Sequence, residues 1–324
     1  MMRTFRTLVL AAGALYASAS HVAGQDYPNA PIRLIVAFAA GGSSDVLARA
    51  VAKAMGEGLG QTVVVENRPG AGGNIGAQSV ARADPDGYTV LFGTNGTLAV
   101  GPALYKDLKY DPVRDLAPVG MLHKLPNVLV IHPSIPASNL HELIAFARSK
   151  PGELTFASAG VGSASHLAGE LLKAAANIDI LHVPYRGGGA AMPDLLSGRV
   201  SMMIETIPNA LPAVRNGTLR ALGVTTPTRS SSAPDLPTLA EAGLPDFDVT
   251  SWTGLFVPAG TPRPIIERLN AETLRIARDP AYLEQLKTMG TDVAVSTPEA
   301  LGAFMVKDIA KWTVAVERSG ARAQ

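Results

Sequence analysis

The segment LIVAFAAGGSSD (34–45) joins a strand-like apolar run to a turn of glycine and serine that opens a helix-like pattern. The same order of features recurs in LTFASAGVGSASH (154–166) and ILHVPYRGGGAAM (180–192). The start of a helix leaves four backbone N–H groups without intrahelical partners and carries about half a positive charge. Glycine and serine let a ligand approach those groups closely. The three turns therefore predict anion-binding sites. The lack of an obvious nucleophile among them favours binding of an anion over catalysis.

Strand-like and helix-like stretches alternate from residue 32 to about 225, which predicts an α/β fold with largely parallel sheets covered by helices. The runs RLIVAF and TVVVE lack a polar alternation, as expected of strands buried on both faces. We predict strands at 32–38, 62–66, 89–93, 128–131, 154–157, 180–183, 200–204 and 220–225. We predict helices at 44–58, 73–83, 97–104, 139–149, 164–175, 188–197, 208–216, 263–278, 280–288 and 298–318.

Two loop-like segments, 105–120 and 226–248, each precede a strand-like segment, at 125–133 and 249–258. These strands are candidates for crossings between two domains. We therefore expect domain 1 to comprise residues 25–124 plus 250–324 and domain 2 to comprise residues 125–249.

The first 24 residues have the layout of a secretory signal peptide. Arg3 and Arg6 form a basic region, residues 8–16 are apolar, and small residues lead to Gly24. The apolar run is shorter than the roughly 20 residues of a transmembrane helix, although an uncleaved N-terminal anchor is the alternative. We expect cleavage near Gly24 and a mature protein in the periplasm.

Composition limits the function classes further. Without Arg3 and Arg6, 26 of the 28 Lys and Arg residues remain against 27 Asp and Glu, and no basic stretch suits nucleic acid or an anionic membrane. The absence of cysteine excludes disulfides, thiolate metal sites and a lipid-modified cysteine. The six histidines lack metal-ligand spacing. We therefore expect no metal and no cofactor.

Two motifs have a possible catalytic or cofactor meaning. GAGGNIG (70–76) resembles a dinucleotide fingerprint, but Ile75 occupies the last glycine position and a loop separates the motif from its strand, which favours a structural turn. A secreted hydrolase using Ser163 or Ser165 with His166 is the rival from another class. Neighbouring residues on one helical turn seldom align as nucleophile and base, and no third group is evident. We expect no enzyme and no catalytic residue.

Five side chains near the turns each allow two interpretations, one functional and one structural. His166, in the first turn of a helix, could donate to a carboxylate or could cap and pack. Asp45 could cap its helix or receive an amino group of a ligand. Glu205 follows an apolar strand, where ligands bind in open α/β sheets, or it is a solvated carboxylate. Tyr185 and Phe38 could wall a cleft or fill an interface.

Several long segments together resemble the Bug receptor family, the extracytoplasmic solute-binding proteins associated with tripartite tricarboxylate transporters. The segments are YPNAPIRLIVAFAAGGSSDVLAR (27–49), VVVENRPGAGGNIGA (63–77), DPDGYTVLFGTNGT (84–97), ASAGVGSASHLAGELL (157–172), VPYRGGGAAMPDLLSG (183–198) and LPTLAEAGLPDFDV (236–249). The resemblance implies a type II periplasmic-binding-protein fold: two α/β domains joined by two crossover strands, closing on a ligand as a Venus flytrap does. It also implies a protein that is not catalytic.

The resemblance implies ligand loops at 37–45, 94–97, 158–166 and 184–191 and a strand-end site at 204–206. The ligand would be a small carboxylate (a dicarboxylate, tricarboxylate, acidic amino acid or aromatic acid), and the partners membrane transporter subunits or a membrane sensor. The receptor would be a monomer. The residues expected at the ligand are Phe38, Gly41, Gly42, Ser43, Asp45, Thr94, Thr97, Ser158, Gly160, Val161, Ser163, His166, Tyr185, Gly187 and Glu205.

The chain departs from the family pattern at three places. Ala37, Ala39 and Ala40 stand in a first loop that is usually rich in proline. Val161 replaces an asparagine, and Glu205-Thr206 replaces Asp-Asn. Loss of an amide at 161 hints at a ligand with an apolar or aromatic body, so V161N is expected to weaken the binding of such a ligand.

Overall fold

A computed structural model of the protein describes residues 27–105, 107–230 and 232–319. The strands are β1 Ile32–Val36, β2 Val63–Asn67, β3 Thr89–Thr94, β4 Leu116–Ile131, β5 Thr155–Ser158, β6 Leu181–Pro184, β7 Met202–Thr206, β8 Arg220–Val224, β9 Thr250–Pro258 and β10 Asp292–Val293. The α-helices are α1 Ser43–Leu59, α2 Asn74–Ala81, α3 Gly101–Leu104, α4 Leu140–Ser149, α5 Ala164–Ala176, α6 Gly188–Leu196, α7 Ile207–Arg215, α8 Arg263–Ile276, α9 Pro280–Met289 and α10 Pro298–Ser319. A 3-10 turn, Ala71–Gly73, precedes α2, and a π-helical turn, Gly96–Val100, runs into α3.

The strands form one curled sheet in the order β2-β1-β3-β9-β4-β7-β5-β6, with β8 and β10 also paired to β4. At one end β1 is parallel to β2 and β3, and at the other β5 is parallel to β6 and β7. We call these the first and second strand groups. The antiparallel pair of β4 and β9 connects them. The predicted α/β fold with parallel strands is thereby confirmed.

Strand β4 belongs to both groups. Its first part, from Leu116 to Pro126, pairs with β9, and its last part, from Asn127 to Ile131, pairs with β7 and β8. The sequence predicted a loop up to residue 120, because proline disfavours strand interiors. The strand nevertheless includes Pro118, and its register against β9 shifts between Pro118 and Gly120. Long-range pairing with β9 has therefore overridden the local preference.

Each strand group has its own buried cores, and the last helix packs against both. On α10, Leu301 and Met305 are buried with residues of β1, β3 and β9, whereas Trp312 is buried with residues of β4, β5 and β7. The helix thus crosses from one group to the other within four turns. The domain limits at 124/125 and 249/250 remain a prediction. That prediction places residues 250–324 wholly in domain 1, whereas α10, which belongs to them, packs against both strand groups.

The predicted signal peptide, residues 1–24, lies outside the described residues. Among the helices that are described, none combines the length and the hydropathy needed to cross a bilayer.

Candidate functional site

A cavity opens between the two strand groups. Its floor is formed by the middle of β4 and the start of β9, where Asn127, Ser251 and Trp252 lie. Its walls come from the loops that follow β1, β3, β5, β6 and β7. Six residues predicted from the sequence meet in this lining: Phe38, Gly42, Ser43, Thr94, Ser163 and Glu205.

Five helical segments begin at the cavity, two in the first strand group and three in the second. The residues at their starts that line it are Gly42, Ser43 and Ser44 for α1, Asn95 and Gly96 for the π-helical turn, Ser163, Ala164 and Ser165 for α5, Gly188 for α6 and Thr206 for α7. The starts of α1, α6 and α7 lack a side-chain cap. Backbone N–H groups at such starts favour an anion.

The lining is poor in charge. Of the described residues that line the cavity, Glu205 alone has an ionisable side chain, and no Lys, Arg or His is among them. Phe38, Leu47, Ile204 and Trp252 supply apolar surface. An anion here would be held by backbone dipoles and hydroxyl groups.

The Glu205 carboxyl is buried, with 6% of the residue exposed. Its Oε1 accepts hydrogen bonds from the backbone N–H of Thr206 at 2.7 Å and from the Thr206 hydroxyl at 2.9 Å. Its Oε2 lies against the backbone of Gly188. Burial raises the pKa of the carboxyl, and the bonds from Thr206, together with the neighbouring Asn209 amide, oppose that rise. Of the two readings given by the sequence, the solvated carboxylate is therefore wrong.

Asn95 is a lining residue that the sequence analysis did not single out. It is 2% exposed, and its Nδ2 has no hydrogen-bond partner among the described residues. Buried polar groups nearly always have partners, so a ligand oxygen is a natural acceptor for this donor. A usable signal existed: Asn95 directly follows β3, and ligands bind at the carboxyl ends of strands in open α/β sheets.

The floor of the cavity is fixed by side chains that were also missed. Asn127 donates to the Val249 carbonyl at 2.7 Å and accepts from the Ser251 hydroxyl at 2.9 Å. The Trp252 indole donates to Asp308 Oδ2 at 2.7 Å. These bonds satisfy the polar groups of the floor, and Trp252 lines the cavity. Nothing local in the sequence marks them, since the pairing of β4 with β9 brings them together.

Three predicted residues stabilise loops of the first strand group and lie outside the described lining. They are Gly41, Asp45 and Thr97. Asp45 accepts from Gly41 N–H and from Arg49 through Oδ2 and from Asn67 through Oδ1, each at 3.0 Å. Burial would raise the pKa of Asp45, but these bonds hold it below its usual value. The Thr97 hydroxyl donates to the Thr94 carbonyl at 3.0 Å and so shapes the turn after β3.

His166 and Ser158 likewise support their loop. The His166 Nδ1 accepts from Gly162 N–H at 3.2 Å, and its ring stacks on His182 with centroids 4.1 Å apart. The Ser158 hydroxyl is bonded to His182 Nε2 at 2.6 Å. Burial lowers the pKa of both histidines to about 4. The structure therefore favours a packing role for His166 over donation to a ligand carboxylate.

The remaining predicted residues, Gly160, Val161, Tyr185 and Gly187, lie outside the described lining. The Val161 carbonyl accepts from the Tyr105 hydroxyl at 2.6 Å. The Tyr185 hydroxyl donates to Asp194 at 2.7 Å, and burial together with that bond raises its pKa to about 12. Gly160 and Gly187 have φ of 122° and 150°. Val161 is not part of the described lining, which argues against a direct contact with the ligand, and the effect of V161N stays a prediction.

Loops of the two strand groups also contact each other through backbone atoms. Ala39 N–H donates to the Arg186 carbonyl at 3.1 Å. Gly42 and Gly189 are so close that a Cβ added to Gly189 would lie 2.6 Å from the Gly42 nitrogen. Gly72, in the motif predicted as a structural turn, lies against Val161 and Gly162. Glycine-rich loops of the two strand groups thus meet next to the lining residues Gly42 and Gly188, and we call these contacts the rim.

A family model described as "Tripartite tricarboxylate transporter family receptor" matches residues 47–321. The chain belongs to this receptor family. BugT of Bordetella pertussis is 39% identical over 305 residues, covering 94% of each chain. The chain is also similar to two solved structures from Rhodopseudomonas palustris. Rpa4515 with adipate has a TM-score of 0.89 and 35% identity, covering 92% of this chain and 99% of its own. MatC with bound malate has a TM-score of 0.86 and 36% identity, covering 90% of this chain and all of its own.

Membership of the tripartite tricarboxylate transporter receptor family agrees with the geometry. The family and its solved members are solute-binding proteins, and the similarity confirms the predicted type II periplasmic-binding-protein fold. The resemblance to the Bug receptors inferred from the sequence is likewise confirmed.

Proposed function

We propose that this protein is a periplasmic receptor that captures a small carboxylate between its two strand groups and delivers it to a membrane transporter. The observation that carries the proposal is the convergence of five helical starts on one cavity without a cationic side chain. Such a site suits a small anion held by backbone N–H groups. Two similar structures contain adipate and malate, which supports a carboxylate as the anion.

Closure follows from the way both strand groups contribute to the site. Residues 38–44 and 94–96 come from the first group, and residues 159–165, 188 and 204–206 come from the second. A ligand that touches both sets binds the closed form better than an open one, so it shifts the population towards closure. A transporter in the membrane would then recognise the closed shape.

No catalytic step is included in the proposal. The Nδ1 of His166 is occupied by Gly162 N–H, and the Ser163 hydroxyl accepts from the His166 backbone N–H at 3.2 Å. The Ser163 and Ser165 hydroxyls are 3.2 Å apart. This arrangement caps α5 and offers no aligned pair of nucleophile and base.

The test is a calorimetric and thermal-shift screen of the mature chain, residues 25–324, against mono-, di- and tricarboxylates, amino acids and aromatic acids. A ligand at 100 times its Kd should add about 2.7 kcal/mol to the free energy of unfolding. If no carboxylate raises the Tm, the proposed function is wrong. Mass spectrometry of the exported protein checks cleavage near Gly24.

Asn95→Ala provides a site-specific test. Removing a donor that bonds a ligand carboxylate should weaken binding about tenfold, because a hydrogen bond to a charged group contributes about 1.5–3 kcal/mol. Asn216→Ala, an exposed asparagine outside the cavity, is the matched control and should bind normally. Equal affinity of the Asn95 variant and the wild type would remove Asn95 from the ligand site.

Delivery to a transporter is tested in cells. Deletion of the gene should abolish uptake of the identified ligand. Normal uptake combined with loss of a ligand-induced response would instead identify a receptor that signals to a membrane sensor.

A further inference from the structure

Glu205 places a buried carboxyl in a cavity that otherwise suits an anion. The residue is 6% exposed, lines the cavity and takes part in no ion pair among the described residues. A buried charge is stable only when it is paired with an opposite charge and hydrogen-bonded. Thr206 supplies hydrogen bonds and the neutral Asn209 amide lies nearby, but the described lining supplies no cation.

Contacts divide the helical starts around the cavity into two groups. Gly96 of the π-helical turn adjoins the start of α5, since a Cβ on Gly96 would lie 3.2 Å from the Ala164 nitrogen. Asn95, with its unpartnered buried Nδ2, belongs to this group. We call it the Asn95 end, and it contains donors but no carboxyl.

The second group contains the carboxyl. Glu205 lies against Gly188 at the start of α6, and the neighbouring Gly189 lies against Gly42 at the start of α1. We call this the Glu205 end. The helical starts of α6 and α7 favour the ionised form of the carboxyl, while burial without a cationic partner disfavours it. A positive group on the ligand would provide the missing partner.

We propose that the ligand carries both a carboxylate and an ammonium group, with the carboxylate at the Asn95 end and the ammonium against Glu205. Glu205 would then determine specificity by attracting a cationic group of the ligand and repelling a second carboxylate. In this respect the receptor would differ from the similar proteins whose structures contain the dicarboxylates adipate and malate.

Matched ligand sets test this assignment by calorimetry at pH 7. Each set contains an alkanoate of two to six carbons, the amino acids of the same length with α- and ω-amino groups, and the dicarboxylate of the same length. We expect one of the amino acids to bind at least tenfold more tightly than both the alkanoate and the dicarboxylate of its set, because a charged hydrogen bond at a buried site is worth at least a factor of ten.

Glu205→Gln keeps the shape of the side chain and removes its charge. This variant should lose at least tenfold in affinity for the amino acid and lose little for the alkanoate. Glu272→Gln is the matched control, because Glu272 is a buried carboxylate paired with Arg275 outside the described lining. The Tm of each variant reports whether it is folded.

The outcomes separate this inference from the proposed function on which it rests. Tighter binding of the dicarboxylate than of the amino acids, or an amino-acid preference that survives in Glu205→Gln, overturns the role of Glu205 and leaves the carboxylate receptor intact. If no member of any set binds, and no acid in the broader screen does, the proposed function itself fails.

Discussion

The hydroxyl of Tyr105, which directly follows α3, donates to the Val161 carbonyl in the loop after β5. Because this bond joins the segment after β3 to the loop after β5, we expect it to stabilise the closed form, so Tyr105→Phe should destabilise that form by about 1 kcal/mol. We expect the ligand to dissociate about fivefold faster, as measured by stopped-flow fluorescence. Tyr27→Phe also deletes a hydroxyl that donates to a carbonyl, that of Gly87, but within the first strand group. An equal acceleration in both variants would show that the Tyr105 bond has no special part in closure.

Replacing two helical glycines by alanine should change the free energy of unfolding in opposite directions. A Cβ on Gly169 in α5 would collide with the ring of buried Phe156, whereas a Cβ on Gly302 in α10 would meet Pro118 at an ordinary 3.4 Å. Gly169→Ala should therefore lower the free energy of unfolding by about 1–3 kcal/mol. Gly302→Ala should raise it by about 0.5–1 kcal/mol through helix propensity. Urea denaturation measures both, and stabilisation by both would mean that α5 can move away from β5.

Most elements were predictable because local signals agreed with long-range packing. The turn at 41–45 combines a strand end, glycines and Asp45, and α1 begins there as expected. The start of β4 was missed because its prolines argue against a strand until β9 is considered. In the site, Phe38 and Ser43 follow from strand-end position, but Trp252 and Asn127 depend on pairing between segments more than 100 residues apart. His166 could not be resolved from sequence, because its partner His182 lies on another strand.

Stability of the whole molecule should depend on pH through the buried His123 and His166 and the half-buried His182. Burial lowers the pKa of His123 to about 3 and those of His166 and His182 to about 4. Between about pH 6.5 and 4 the unfolded chain therefore binds more protons than the folded one, and the free energy of unfolding falls as the pH falls. Each histidine contributes up to about 1.4 kcal/mol per pH unit. Urea titrations between pH 5 and 6 should show a smaller slope for His182→Gln.

The raised pKa of Glu205 acts in the opposite sense, because the folded state then binds a proton before the unfolded state does. Glu205→Gln should consequently steepen the loss of stability on acidification. If the stability of Glu205→Gln, which lacks this opposing contribution, is constant from pH 7 to 4, the histidines are not held neutral by the fold.

Closure of the molecule as a whole can be blocked at the rim. A side chain at Gly189 would press on the Gly42 backbone, so Gly189→Val should prevent the two strand groups from meeting. We expect a near-normal Tm without ligand, at least a tenfold loss of affinity, and no ligand-induced fall in the radius of gyration by small-angle scattering. Ala190→Val, at the exposed neighbouring position, is the control and should contract normally.

The rim has an evolutionary consequence, because its cross-cavity contacts are made largely by backbone atoms. The carbonyls of Arg186 and Val161, the N–H of Ala39 and the glycines at 42 and 189 meet in the same way whatever side chains face inward. Substitutions at inward positions such as 95, 205 and 252 can therefore alter the preferred ligand without altering the closed outer surface. Duplicated copies of such a gene could therefore come to bind different ligands while keeping the closed surface that the proposed membrane transporter would recognise.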